Sequence, residues 1–255
     1  MCFDIDARPP IPEIVGGALD GALDTLTASD GNRFSVYRAK AADPSGAGMV
    51  VLPDVRGLFP YYEELALRFA EHGIDAIALD YFGRTAGLGE RDGEFDYMPH
   101  VAQTTWAGLS ADIEAAVTAL REEPERVRSI FTVGFCFGGR TSFLASTLGL
   151  RLAGVIGFYG WPIGSSRNDT PAPAEVAERI ECPVLGLFGG ADQGIHREAV
   201  EAFDRALTGA GVEHRIVTYE GAPHSFFDRK QGEFAEASAA AWDEMLRFVQ
   251  THTAS

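Results

Sequence analysis

What most constrains this chain is the way two hydrophobic periods alternate along it. Short apolar runs of strand length occupy 49–52, 74–79, 129–134, 153–159, 183–188 and 215–219. Between them lie stripes at helical spacing. Tyr62, Leu65, Ala66 and Phe69 share one helix face, with Gly73 where the helix would be capped. Leu109, Ile113, Ala116, Val117 and Leu120 form a second stripe that stops near Pro124. A helical run at 141–148, a stripe at Val200, Phe203 and Leu207, and a closing helix over 234–249 complete the pattern. Upstream, runs at 23–28 and 33–39 flank Asp30-Gly31, a hairpin signal.

Strands that alternate with helices pair in parallel and need cover on both faces. The expectation is therefore an α/β fold: about eight strands, mostly parallel after an antiparallel start, with helices on both faces. Residues 1–20, rich in Pro and Gly, read as an irregular lead-in. No composition break divides 21–255, which reads as a single domain. The segment 81–103 is the longest without periodicity, and a loop of that length is usually functional or a lid.

The 255 residues carry a formal net charge of −16 and no basic cluster, which argues against nucleic acid. No apolar run is long enough to span a bilayer. The first residues carry two acids and no basic region, unlike a signal peptide. Three cysteines, Cys2, Cys136 and Cys182, are too few for a disulfide framework or a zinc cluster. A reduced, cytoplasmic protein is expected, a monomer or small homo-oligomer, with no cofactor or metal implied.

One local motif carries chemistry. Gly134-Phe135-Cys136-Phe137-Gly138-Gly139 follows an apolar strand and precedes a helical run. This is the nucleophile-elbow pattern with cysteine in the nucleophile slot. The turn leaves no room for side chains beside the nucleophile, and the helix N-terminus favours thiolate and oxyanion. The acid and base of such a triad follow in that chain order. Asp192 comes just after the run 183–188, and His224 just after 215–219. Each on its own reads as a cap or a solvated loop residue; together, at the ends of successive strands, they read as a triad. His72, His100, His196, His214 and His252 lack such placement, and Cys182 before Pro183 reads as core.

The chain resembles the dienelactone hydrolase family of α/β-hydrolases. The elbow, Gly190-Ala191-Asp192 and His224-Ser225-Phe226 carry the resemblance, with Leu52-Pro53-Asp54-Val55-Arg56-Gly57 and Leu79-Asp80-Tyr81-Phe82-Gly83-Arg84. It implies an α/β-hydrolase fold and hydrolysis of small-molecule lactones or esters through a thioester. Cys136 would be the nucleophile, His224 the base and Asp192 its orienting acid. Backbone N–H groups of Phe137 and Val55 would form the oxyanion hole. Asp54 would stand where the family carries a glutamate that holds the resting thiol, though it is one methylene shorter. Arg84 would pair with a substrate carboxylate. The position of a second family arginine is Asp228, with Arg229 next, and Arg56 replaces a hydrophobic residue beside the oxyanion hole. The altered arginine position supports one alternative, a carboxylesterase on neutral activated esters or lactones; a non-catalytic binding protein and a redox-sensing thiol protein are alternatives of other classes.

Overall fold

The computed structural model describes residues 7–228 and 232–254. Strand β1 (Ala18–Thr27) runs antiparallel to β2 (Arg33–Ala41), and β2 antiparallel to β4 (Ile74–Leu79). The turn between the first two uses Gly31 at φ 87°, a left-handed conformation that a side chain would strain. From there the sheet is parallel: β3 (Gly46–Leu52), β5 (Val127–Phe135), β6 (Gly154–Phe158), β7 (Val184–Gly189) and β8 (His214–Tyr219). The strand order is β1-β2-β4-β3-β5-β6-β7-β8.

Every residue of β3, β4, β6 and β7 is buried, as their unbroken apolar runs require, because helices cover both faces. Neighbouring residues of β5 show the two faces. Phe131 packs on Phe248 of α7 (Ala235–His252), whereas Thr132 hydrogen-bonds Ser142 of α5 (Phe137–Ala145) at 2.7 Å. Phe69 of α1 (Pro60–Glu71) packs against Trp242 of α7, and Phe203 of α6 (Arg197–Ala210) against Phe143 of α5. Helix α1 ends at Glu71 with His72 as its cap, and Gly73, expected as the cap, follows at φ 79°.

Three expectations are revised. The segment 81–103 is not without structure: it holds the short helices α2 (Gly83–Ala86) and α3 (Tyr97–Gln103) before α4 (Trp106–Arg121) begins. Phe82, Phe95 and the His100 ring stack there, an aromatic cluster that periodicity does not register. Helix α5 starts at Phe137, directly after the elbow, rather than at 141. Strand β1 begins at Ala18, inside the expected lead-in, whose residues 1–6 lie outside the described residues. No helix among the described residues is long and apolar enough to cross a membrane.

Candidate active site

The carboxyl ends of the parallel strands supply the site, as this class of sheet arranges. Cys136 follows β5 immediately and takes φ 55°, ψ −109°, a conformation that L-residues avoid. Its N–H donates to the Phe158 carbonyl at 3.0 Å, and its carbonyl accepts from Arg140 N at 3.2 Å as α5 begins. The flanking glycines are sterically obligatory. A Cβ on Gly134 would lie 1.9 Å from the Gly138 carbonyl oxygen, and one on Gly138 would lie 2.0 Å from that of Leu52. The elbow is therefore fixed by backbone crowding, and the strain places the sulphur at the sheet's rim.

Asp192 and His224 meet there. The loop after β7 holds Asp192 by N–H groups of Gly194 and Ile195, which donate to Oδ1 at 2.8 and 3.1 Å. Its Oδ2 lies 2.6 Å from His224 Nδ1. Burial raises the Asp192 pKa, but the hydrogen bond and charge of His224 outweigh it and hold the carboxyl below its ordinary value. For His224, burial alone would lower the pKa. Hydrogen bonding to Asp192 and to Cys136, with the charge of both, reverses this and raises it to about 10. Nδ1 is spent on Asp192, which leaves the buried Nε2 as the ring nitrogen that faces Cys136. The cysteine's influence on the ring marks the sulphur as the group within its reach.

A cavity of about 450 Å³ opens onto Cys136. Phe137 and Val55, the two expected oxyanion-hole residues, both line it. So do Tyr97 and Met98 of α3, Arg140, Trp161 and Arg167. Sequence reasoning missed these last five residues. Trp161 and Arg167 sit in the aperiodic segment that follows β6; only its position after a parallel strand marks it in the sequence. The Arg140 guanidinium donates to the carbonyls of Trp161, Gly164 and Thr170 and so fastens that segment to α5.

Arg84 requires a correction. It does not line the cavity. Its guanidinium is bonded to Asp30 of the first turn, to the buried Asp112 of α4 at 2.8 and 3.2 Å, and to the Gly108 carbonyl at 3.2 Å. Two carboxylates already neutralise it. Asp54 is fully buried. Its Oδ1 accepts from Arg56 N at 2.9 Å and its Oδ2 lies 3.5 Å from the Arg56 guanidinium, which also covers the Phe59 ring. Arg56 thus turns inward to Asp54. Tyr81, whose hydroxyl donates to the Pro53 carbonyl, lies within electrostatic range of both Asp54 and Cys136. Asp228 is buried and accepts from the Tyr159 hydroxyl at 2.8 Å. Arg229 lies outside the described residues.

A family model described as the dienelactone hydrolase family matches residues 34–253. The chain belongs to the dienelactone hydrolase family. It is, with that family, a hydrolase of ester or lactone bonds. The carboxymethylenebutenolidase of Rhodococcus opacus is 26% identical over 252 residues, covering 98% of this chain and 95% of its own. A crystal structure from Klebsiella pneumoniae superposes with a TM-score of 0.75 at 26% identity, over 90% of this chain and 99% of that one. A dienelactone hydrolase-like promiscuous phosphotriesterase, P91, from metagenomic libraries shares the fold with a TM-score of 0.72 at 23% identity, over 92% and 99%.

Proposed function

We propose that this hydrolase cleaves small-molecule esters or lactones by transferring the acyl group first to Cys136 and then to water. The observation that carries the reading is the strained cysteine at the mouth of a cavity, within reach of an imidazole whose other nitrogen is held by Asp192 at 2.6 Å. In the free protein Asp192 and Cys136 both favour the charged form of the His224 ring.

The thiolate attacks the carbonyl carbon, and the N–H groups of Phe137 and Val55 meet the developing oxyanion. One such donor is typically worth about 3 kcal/mol. The tetrahedral adduct collapses by breaking the C–O bond, and the leaving oxygen takes the proton of His224. In a lactone that oxygen stays tethered to the acyl chain. The thioester carries no negative charge, so one cause of the raised His224 pKa disappears and the ring becomes a base. His224 then takes a proton from water as it attacks, and the second collapse breaks the C–S bond to return the thiolate and release the carboxylic acid, which loses its proton to bulk water. Activated esters and enol lactones are favoured over amides, because their leaving oxygens need little help from an acid.

Two observations remove the expected carboxylate clamp, and Arg140, bonded to three carbonyls, and Arg167 are the cations that line the cavity. Arg84 is spent on Asp30 and Asp112, and Asp228 is buried against Tyr159. The cavity wall meanwhile offers Tyr97, Met98, Phe137 and Trp161. The redox alternative draws no support from Cys182. That residue sits before β7, at the opposite end of the sheet from the elbow, and burial pushes its thiol up to about 12. Steady-state kinetics on an aryl ester series, with and without a carboxylate, and on dienelactone itself test the reading. Turnover that rises with leaving-group acidity is expected; no turnover of any ester or lactone would refute it.

A further inference from the structure

The aromatic residues beside the triad carry an inference of their own. Two rings pack on His224, Tyr159 at 4.9 Å and 54°, and Trp161 at 4.9 Å and 47° between ring planes. They are not equivalent. Tyr159 is fully buried, takes φ 37°, and is anchored through its hydroxyl to the buried Asp228. Trp161 is 37% exposed and lines the cavity. It is nevertheless fixed. Its carbonyl accepts from Arg140 at 3.2 Å, and its six-membered ring lies over Gly194, where an added Cβ would come within 2.7 Å of Cζ2. Gly194 is also the residue whose N–H orients Asp192. One indole thus touches the base, the loop of the acid and the space for substrate.

We propose that Trp161 is a positioning residue: it braces the His224 imidazole toward Cys136 and makes substrate occupancy of the cavity bear on the base through its own ring. The inference rests on the Cys136–His224 reading above. An aromatic face within about 6 Å also attracts a cation, so the brace favours the imidazolium partner of the thiolate. Among the described residues, the charged and titratable groups around the ring are Asp192, Cys136 and Tyr159, with Asp228 behind the tyrosine.

The test is the pH dependence of Cys136 alkylation by iodoacetamide, followed at that peptide by mass spectrometry. This reagent is too small to need the cavity wall for binding. Wild-type protein is expected to react quickly at pH 6, and His224→Ala to follow the curve of a free thiol near pKa ~8.5. Trp161→Ala is expected to slow alkylation at pH 6 about tenfold and to recover as pH rises, while Trp161→Phe, which keeps an aromatic face, holds the wild-type curve. Gly194→Ala, which leaves every triad side chain intact, is expected to shift the curve in the same direction and to add nothing in a Trp161→Ala background. A Trp161→Ala curve that superposes on wild type overturns the brace, even if ester turnover falls. A wild-type curve already like that of a free thiol, and unchanged by His224→Ala, overturns the Cys136–His224 pair and this inference with it.

Discussion

Cys136 and Cys182 are equally buried, 8% exposed each, and occupy opposite ends of one parallel sheet. By strand register they are separated by roughly 20 Å along the strands, at ~3.3 Å per residue. Cys182 precedes β7, where desolvation dominates and the charge of Glu181 adds to it, so its thiol is pushed up to about 12. Cys136 follows β5 on a turn of positive φ, with the start of α5 and an imidazole for company. Burial is shared, so burial does not decide reactivity. What differs is which end of the strand each cysteine occupies and therefore which charges it meets. Helix starts and the loops after strands gather at the carboxyl end, and only there do partial positive charge and a proton acceptor converge.

The strongest way to break this comparison is to remove each sulphur in turn. Cys136→Ala is expected to lower kcat by about 10⁴-fold or more while leaving the circular dichroism unchanged. Cys182→Ala is expected to leave kcat within about twofold and to lower Tm instead, as small core truncations do. Equal losses of activity would erase the distinction between the two ends. Next comes Asp192→Asn, which keeps a hydrogen-bonding group beside Nδ1 but loses the charge and favours the wrong tautomer. A loss in kcat of about 10³-fold is expected, with KM little changed.

A smaller effect concerns pH. The His224 pKa is raised from 6.5 to about 10, so the folded state binds that proton more tightly than the unfolded chain. Its stabilising contribution is complete below pH 6.5 and is lost as pH climbs toward 10. Asp192 works the other way: its lowered pKa stabilises above 3.8, and the benefit goes as pH falls below that value. Removing the ring removes the group with the raised pKa. Urea denaturation of His224→Ala should therefore lack the loss of stability that wild type shows as pH climbs toward 10. A decline unchanged by the substitution would mean that the ring does not hold its proton more tightly in the folded protein.

The smallest catalytic effect is expected at Arg84. With its guanidinium held by Asp30 and Asp112, Arg84→Ala should change KM for carboxylated and neutral esters alike by less than about twofold. It should cost about 2 kcal/mol of stability, because Asp112 is left buried with fewer partners. A KM that rises for carboxylated esters alone would return Arg84 to the site.

What the residues revealed in advance follows the same division. The central strands and the elbow are local: an apolar run, a Gly-x-Cys-x-Gly turn and a helix announce themselves within a few positions. Asp192 and His224, which the fold brings into hydrogen-bond contact, were marked by chain order, since each follows a strand. Arg84 was not, because its partners come from a distant hairpin turn and from the buried face of α4, and nothing in their spacing ties them together. Nor was the segment after β6. Trp161 has no periodicity around it, and its importance comes from Gly194 and His224, which reach it only through the folded sheet. The absence of a hydrophobic period also concealed α2 and α3, whose packing rests on stacked aromatics rather than on an apolar stripe.

The most direct test of the central claim is to mix the protein with an aryl ester, quench in acid within milliseconds, and weigh the intact chain. The account predicts an adduct of the acyl mass on the peptide that contains Cys136, labile to hydroxylamine and absent from Cys136→Ala. Ester turnover with no adduct at that sulphur, or an adduct carried by another residue, would contradict it.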